Sequence, residues 1–252
     1  MSARAALRLL AIALVLVVCL PAFMIASLVG RGSFWMALFL RGVGRVLGLR
    51  VRTTGRPVAG DVLYAANHIS WLDILALGGA ARTRFIAKSE IADWALVGRL
   101  ATMVGSVFVS RDRRSSTRVQ ADAIARALNE GRPITLFAEG STGDGVTLDP
   151  FRPSLFAAAV EARATVQPVA IDYGARSAEI AWPDDTRFST EMLRILDRRG
   201  GIAVTLHFLP PLDAAMLDRK ALAIAAHAAV AVALGRTSSA PSGARPAPDT
   251  GR

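Results

Sequence analysis

A histidine and an aspartate close together in the chain are the first side chains that could do acid-base chemistry as a pair. They are His68 and Asp73, in the segment "NHISWLD" at residues 67 to 73. Five helical residues subtend about 500°, so the two side chains would point in different directions within one helix. They can meet only if His68 lies in a turn before a helix that carries Asp73. The carboxylate would then hold the imidazole in one tautomer, and the other ring nitrogen could take a proton from a hydroxyl group.

The other two histidines occur in segments of a different kind. His207 lies within the strand-like run "GIAVTLHFL", and His227 lies within an alanine-rich helical run, so both positions are interpreted as structural. No metal site is predicted, because no second histidine or cysteine is near His68 and a histidine with one carboxylate does not complete a zinc shell. The single cysteine, Cys19, also excludes an intrachain disulfide.

The segments around this pair alternate between strand-like and helix-like patterns. The strand-like run "VLYAA" (62–66) precedes His68, and a helix is expected to start near Ser70 or Trp71. Further strands are predicted at 84–87, 106–110, 133–138, 165–171 and 201–209. The clearest helix is predicted in "SSTRVQADAIARALNEG", where apolar residues recur at helical spacing. Strands separated by helices predict an α/β fold, with a mostly parallel sheet flanked by helices over residues 50–235.

The N-terminal part is apolar enough to associate with a membrane. No charged residue occurs from Leu9 to Gly30, and a helix needs about 20 apolar residues to cross a bilayer. The apolar core of a signal peptide has only about 7 to 15 residues, so residues 1–32 are interpreted as an anchor that spans the membrane or lies in one leaflet. Arginines are more frequent after this run than before it, which predicts a main domain on the cytoplasmic face of the cell inner membrane.

Two other segments lie outside the predicted domain. Residues 33–49 mix aromatic side chains with arginines, as expected either of an amphipathic helix at the membrane interface or of a helix that docks on the domain. Residues 236–252 are rich in Pro, Ser and Gly without apolar periodicity. They are predicted to form a disordered tail.

The strongly basic composition is interpreted as a membrane signal. The formal net charge is +10, and all basic residues except Lys88 and Lys220 are arginines. Abundant arginine together with abundant alanine is typical of a GC-rich coding sequence, so no nucleic-acid partner is predicted from the charge. Contact with anionic membrane lipid remains the expectation.

Four short blocks resemble, in order, the motifs of the glycerolipid acyltransferases of the lysophosphatidic acid acyltransferase type. "NHISWLD" resembles the first motif, an asparagine and a histidine followed after four residues by an aspartate. "GSVFVSR" (105–111), "LFAEGSTGDG" (136–145) and "VQPVAI" (166–171) resemble the second, third and fourth. The blocks span residues 67–171, and the N-terminal apolar run also suits the family.

This resemblance implies a glycerol-3-phosphate acyltransferase-like fold and an acyl-transfer reaction. A fatty acyl group would move from a thioester, on coenzyme A or acyl carrier protein, to a hydroxyl of a lysolipid acceptor. The thioester is a co-substrate, and no resident cofactor or metal is implied. His68 would be the general base and Asp73 its orienting partner. The predicted substrate-binding residues are Asn67, Arg111, Glu139, Gly140, Ser141, Thr142 and Arg152.

The third block departs from the usual Phe-Pro-Glu-Gly-Thr-Arg. Ala138 replaces the proline, Ser141 the threonine and Thr142 the arginine. In family members that use a phosphate-bearing acceptor, that arginine is linked to binding the phosphate, so a charge-assisted hydrogen bond of about 1.5 to 3 kcal/mol is missing here. Arg111 and Arg152 could approach the same pocket.

The segment "EGSTGDG" also resembles the branch of the family that acylates lyso-ornithine lipid. The acceptor in that branch is the hydroxyl of an amide-linked hydroxy fatty acid. Lyso-ornithine lipid is therefore the predicted acceptor, and 1-acyl-sn-glycerol-3-phosphate is the alternative. Two other classes stay open: a non-catalytic basic protein that binds anionic membrane surfaces, and a hydrolase that uses the same histidine and aspartate on water.

Overall fold

The fold is built on one sheet with helices on both faces. A computed structural model of the chain describes residues 2–94, 97–103, 105–109, 116–182 and 186–236. The strands are β1 (Leu49–Thr54), β2 (Val62–Ala66), β3 (Arg84–Lys88), β4 (Val107–Val109), β5 (Ile134–Phe137), β6 (Thr165–Asp172), β7 (Ile202–Phe208) and β8 (Leu212–Asp213). The helices are α1 (Ala3–Ser27), α2 (Gly32–Val46), α3 (Leu72–Ala81), α4 (Val97–Met103), α5 (Ser116–Leu128), α6 (Ala157–Glu161), α7 (Ser177–Ile180), α8 (Phe188–Asp197) and α9 (Arg219–Ala233).

The strands follow the order β1-β7-β6-β2-β5-β3-β4, and β8 pairs separately with β6. Strands β2 to β6 all run in the same direction, while β7 and β8 are antiparallel to β6. Parallel neighbours need a long crossover connection, and helices supply most of these connections here. The predicted α/β fold with a mostly parallel sheet is confirmed.

The central strand β2 shows why the sheet must be covered on both sides. Its residues alternate between two apolar clusters, because successive side chains of a strand point to opposite faces. Val62, Tyr64 and Ala66 belong to the cluster that includes α1, α2, α3 and α8. Leu63 and Ala65 belong to the cluster that includes α5, α6 and α9. All five residues are buried, as expected of a parallel strand with helices on both faces.

The two N-terminal helices form an antiparallel pair against the domain. Gly42 lies beside Val15 and Gly48 lies near Arg8, so α2 runs back along α1. The other side of α2 packs against α3. Helix α1 is long and apolar enough to cross a membrane. The face of α1 that points away from the domain exposes large apolar side chains, namely Leu7, Leu10, Leu14, Val17, Val18, Met24 and Ile25.

Two strands were not predicted from the sequence. In β1 only Leu49 is buried and the following five residues are exposed, so the strand has no apolar pattern that a single sequence would reveal. β8 has only two residues. The six strands that were predicted correspond to β2 to β7 and are confirmed, with small differences at their ends. The predicted helix is also confirmed, over residues 116–128. Of the predicted tail at 236–252, the structure describes Arg236, and residues 237–252 lie outside the described residues.

Candidate active site

Three sequence blocks meet at one edge of the sheet because their strands are neighbours. β2 lies between β5 and β6, and all three strands are parallel. The residues that follow their carboxyl ends are therefore close together, although they are far apart in sequence. His68 follows β2, Glu139 follows β5, and Tyr173 follows β6.

His68 and Asp73 are in direct contact. The imidazole Nδ1 lies 2.9 Å from Oδ2 of Asp73. His68 is in the turn after β2, and α3 starts at Leu72, so Asp73 lies in the first turn of the helix. This is the arrangement that the spacing requires, and it leaves Nε2 as the ring nitrogen that does not contact the carboxylate. The catalytic role of the pair stays a prediction.

The carboxylate of Asp73 is fully buried and held by several donors. Oδ2 accepts hydrogen bonds from the backbone N–H of Ile69 at 2.7 Å and of Ser70 at 3.0 Å. Oδ1 accepts from the hydroxyl of Tyr173 at 2.7 Å. A buried carboxylate is stable only when its oxygens are satisfied in this way. Asp73 therefore has a fixed position from which it can orient the imidazole.

Tyr173 is a supporting residue that the sequence did not reveal. Burial raises the pKa of its hydroxyl well above the ordinary value, and the nearby charge of Asp73 and their hydrogen bond act in the same direction. The phenol therefore stays protonated and continues to donate to Asp73. In the sequence, Tyr173 is simply the second polar residue at the end of a strand, and nothing indicates which way its side chain points.

A second supporting residue that the sequence did not reveal is Phe137, at the end of β5. Its ring stacks on the imidazole of His68 with centroids 3.8 Å apart and an angle of 10° between the planes. The ring of Phe85 is also stacked with that of Phe137, with centroids 5.9 Å apart. The His68 side chain retains 16% exposure, so it is packed on one face but still accessible.

Glu139 binds the backbone of the turn between β2 and α3 that carries His68, here called the histidine turn. It does not bind the imidazole of His68. Oε1 accepts a hydrogen bond from the backbone N–H of His68 at 2.7 Å, and Oε2 accepts from the backbone N–H of Asp149 at 2.9 Å. Burial raises the pKa of Glu139 to about 7, and the two backbone hydrogen bonds only partly oppose this shift. The structure thus shows Glu139 joining the first and third blocks.

Asn67 has a similar joining role between β2 and β6. Its side-chain amide donates to the carbonyl of Ile171 at 3.0 Å, and its carbonyl accepts from the N–H of Ile171 at 2.7 Å. The side chain continues the pairing of the two strands beyond the end of the backbone ladder, and it is only 1% exposed. Both polar groups of its amide are thus engaged with the protein.

The loop after β5 brings the remaining predicted residues near the histidine turn. The N–H of Gly143 donates to the carbonyl of His68 at 2.8 Å. Gly140 has a φ of +85°, and a Cβ at this position would lie 2.9 Å from Nε of Arg152, so glycine allows the arginine to cover the loop. Ser141 and Thr142 are half-buried in the same loop. Arg111 lies outside the described residues.

This arrangement suits proton transfer to and from a hydroxyl group. An oriented imidazole with a buried carboxylate behind it can accept a proton and stabilise the resulting charge. Within the described part of the chain, no group of three or more His, Cys, Asp or Glu side chains is placed to hold a metal ion.

Comparison with known proteins identifies acyltransferases as relatives of this chain. The sequence pattern of a family described as "Acyltransferase" matches residues 49–172. A lyso-ornithine lipid O-acyltransferase from Brucella abortus is 40% identical over 203 residues, covering 73% of this chain and 76% of the relative. One from Rhodobacter capsulatus is 36% identical over 204 residues, covering 77% and 73%. A 1-acyl-sn-glycerol-3-phosphate acyltransferase from Neisseria gonorrhoeae is 35% identical over 184 residues, covering 70% of each chain.

A solved structure shares the fold. The crystal structure of the 1-acyl-sn-glycerophosphate acyltransferase PlsC from Thermotoga maritima superposes with a TM-score of 0.65 at 21% identity, covering 81% of this chain and 79% of that chain. The expected glycerol-3-phosphate acyltransferase-like fold and the resemblance carried by the four blocks are both confirmed. This chain is an enzyme that belongs to the acyltransferase family.

Proposed function

We propose that this acyltransferase moves a fatty acyl group from a thioester to the hydroxyl of lyso-ornithine lipid. The observation that carries the chemistry is the contact between His68 and the buried Asp73 at 2.9 Å. The observation that favours this acceptor is the residue at position 142. It is a threonine, whereas the family members that use a phosphate-bearing acceptor have an arginine there. Relatives named as lyso-ornithine lipid O-acyltransferases match the chain at 36% to 40% identity, which also supports this acceptor.

The proposed reaction needs one proton acceptor and no covalent enzyme intermediate. The acceptor hydroxyl gives its proton to Nε2 of His68 while its oxygen attacks the thioester carbonyl carbon. The carbon–sulfur bond then breaks, and the proton on the imidazolium passes to the departing thiolate. The products are an ester and a free thiol. Asp73 keeps Nδ1 protonated and stabilises the imidazolium, and such a positioned base contributes about 10² to 10⁴ in rate.

The acceptor assignment is tested by direct competition. Purified enzyme would receive acyl carrier protein thioester or acyl-CoA in separate reactions, with lyso-ornithine lipid and 1-acyl-sn-glycerol-3-phosphate together. We expect the lyso-ornithine lipid to be acylated faster. Faster formation of phosphatidic acid would establish the alternative acceptor, which the Neisseria gonorrhoeae relative supports. Release of free fatty acid without a lysolipid would instead indicate hydrolysis.

The residue at position 142 should change the choice of acceptor. We expect Thr142→Arg to raise the rate with 1-acyl-sn-glycerol-3-phosphate relative to lyso-ornithine lipid by about tenfold, since a guanidinium can form a charge-assisted hydrogen bond with the phosphate. Thr142→Gln is the control, because it adds a polar side chain without the charge. An unchanged ratio of the two rates in the arginine variant would contradict the role of this position.

The N-terminal helix pair supports a placement in one leaflet of the membrane. Because α2 runs back along α1, a membrane-crossing α1 would carry the exposed Arg41 of α2 into the hydrocarbon beside it. An arginine at the centre of a bilayer costs at least about 2.5 kcal/mol. Lying flat, α1 would bury its exposed apolar face while the domain stays in water. The excess of arginine after the apolar run supports the cytoplasmic face of the inner membrane.

A further inference from the structure

A large open cavity lies at the edge of the sheet, away from the histidine turn. It has a volume of about 960 Å³, and its walls come from α1, α2, β1, α3 and the segment before β7. None of the described residues that are predicted to act in catalysis or substrate binding lines it. It contacts α3 through Leu75, Ala76, Gly79 and Ala80, beyond the turn that carries Asp73. The cavity is therefore separate from the site described above.

The walls of this cavity are strongly basic. Among the residues that the structure describes, no acidic residue lines it, whereas four arginines do, namely Arg8, Arg41, Arg45 and Arg50. Such a concentration of one sign of charge in a concave site attracts anions.

Two of these arginines have structural roles. Arg8 donates to the carbonyls of Ile195, Leu196 and Arg198 at 3.0 Å each, at the end of α8. Arg41 donates to the carbonyl of Gly79 at 2.7 Å. These bonds fix two positive charges in the walls of the cavity.

The other two arginines are available to a ligand. Arg45 and Arg50 are exposed, and neither guanidinium group has a hydrogen bond or an ion pair with any part of the chain that the structure describes. The guanidinium of Arg50 lies over Gly201, where a Cβ would be 3.2 Å from Nε. Guanidinium groups bind phosphate oxygens in pairs of parallel hydrogen bonds, which makes arginine the usual residue for this anion.

The floor of the cavity also suits a phosphate group. Gly48, Gly200 and Gly201 lie between Arg8 and Arg50. A Cβ on Gly48 would be 3.2 Å from the carbonyl oxygen of Gly200, and φ is +89° at Gly48 and +79° at Gly200. The positive φ values favour glycine at both positions. Backbone already fills the space of a Cβ at Gly48, whereas nothing lies within 4 Å of a Cβ at Gly200, so a ligand can approach the backbone closely at Gly200.

We propose that this cavity binds the phosphate headgroup of an anionic membrane lipid. The position of the cavity favours a lipid over a soluble phosphate compound. Its walls include Arg8 of α1 and Arg45 of α2. The exposed apolar face of α1 is proposed above to lie in one leaflet of the membrane. A lipid whose phosphate contacts Arg45 and Arg50 would extend its acyl chains beside that face. The inference rests on the proposed membrane placement but not on the identity of the acceptor.

The test measures lipid retention by the full chain in a neutral detergent. Native mass spectrometry would compare phosphatidylglycerol and phosphatidylcholine with the same acyl chains, using wild type, Arg45→Gln/Arg50→Gln and a control, Arg126→Gln/Arg219→Gln. The control removes two exposed arginines from α5 and α9, on the opposite face of the sheet. We expect wild type and control to prefer phosphatidylglycerol, and the cavity variant to need at least about tenfold more of it for half occupancy.

Two outcomes would overturn the proposal. One is equal retention of phosphatidylglycerol by wild type and the cavity variant. The other is displacement of the lipid from wild type by coenzyme A, which would make the cavity a site for the phosphates of the thioester donor.

Acyl transfer, measured in neutral micelles, separates this proposal from the proposed function. We expect it to be unchanged in Arg45→Gln/Arg50→Gln, and a tenfold loss there would place the cavity on the substrate path and end the separate-site assignment. If wild type transferred no acyl group to any lysolipid, the proposed function would fail, while lipid retention would still decide the role of the cavity.

Discussion

In the part of the chain that the structure describes, His68 and His207 each lie near an aspartate, and the two pairs differ in distance, in exposure and in hydrogen bonding. Asp73 is 0% exposed and lies 2.9 Å from Nδ1 of His68. Asp172 is 36% exposed, and its nearest oxygen is 4.0 Å from Nε2 of His207. Nδ1 of His207 contacts the hydroxyl of Thr54 at 2.9 Å, and its Nε2 has no hydrogen-bond partner in the described part of the chain.

The difference shows that the surroundings of the carboxylate define the candidate site. Asp73 accepts hydrogen bonds from two backbone N–H groups and from Tyr173, so its position is fixed before a substrate arrives. Asp172 accepts one backbone hydrogen bond, from Gly174, and its other oxygen remains too far from His207 to orient the ring. Preorganisation of this kind is what lets a general base act efficiently.

The largest expected effect is a loss of kcat when His68 is removed, and removal of His207 is the matched comparison. We expect His68→Ala to lower kcat by at least about 10², because the proton acceptor is lost. His207→Ala should leave kcat within about twofold, since this ring is not oriented by a carboxylate. Both variants would be assayed with the same lysolipid and thioester. Equal losses in the two variants would show that the contact with a buried aspartate does not distinguish the pairs.

The next effect concerns the support of Asp73. Tyr173→Phe removes one donor from a buried carboxylate, and we expect kcat to fall by about tenfold with little change in KM, because a charge-assisted hydrogen bond contributes about 1.5 to 3 kcal/mol. Tyr64→Phe is the matched control, since Tyr64 is also buried but donates to the carbonyl of Val58. It should reduce stability while preserving kcat. If both variants retained wild-type kcat, Tyr173 would have only a packing role.

The smallest effect is a change in how stability depends on pH. The folded-state pKa of Glu139 is raised to about 7 from an ordinary value of 4.5. The resulting contribution to stability is fully present below about pH 4.5 and is lost as the pH rises through about 7. Glu139→Gln does not titrate, so between pH 5 and pH 8 wild type should lose more unfolding free energy than the variant, by on the order of 1 to 3 kcal/mol.

This effect would be measured by denaturant unfolding in neutral detergent at the two pH values. Glu161→Gln, a substitution of an exposed glutamate on α6, is the control and should follow wild type. Parallel pH dependence in wild type and Glu139→Gln would mean that the carboxyl group beside the His68 backbone is not perturbed by burial.

Most strands of the fold could be predicted because their residues are mainly apolar and stand out from the polar segments around them. The runs that became β2, β5 and β6 are buried and rich in apolar residues, so each is evident in a single sequence. The direction of β7 was not predictable, because the alternation of side chains is the same in parallel and antiparallel strands. β1 was missed because it lies at the end of the sheet, where arginine or threonine occupies every exposed position except that of Val51.

The candidate site was predictable only where spacing limits geometry. The approach of His68 to Asp73 follows from a turn and a helix start that the sequence indicates. The contacts of Phe137 and Tyr173 depend on which strands are neighbours, and strand order is a property of the whole chain. Glu139 was identified through the family resemblance, but its bond to the backbone of His68 required coordinates.

The packing of α1 has a practical consequence for producing this enzyme. Deleting the apolar N-terminus to obtain a water-soluble catalytic fragment would remove more than an anchor. The deletion would expose Met36, Phe39 and Val43 of α2, which share an apolar cluster with α1. It would also remove Arg8, whose guanidinium binds the last carbonyls of α8. A truncated fragment would therefore aggregate more readily than the full chain in detergent, and the intact N-terminus is the better starting point for purification.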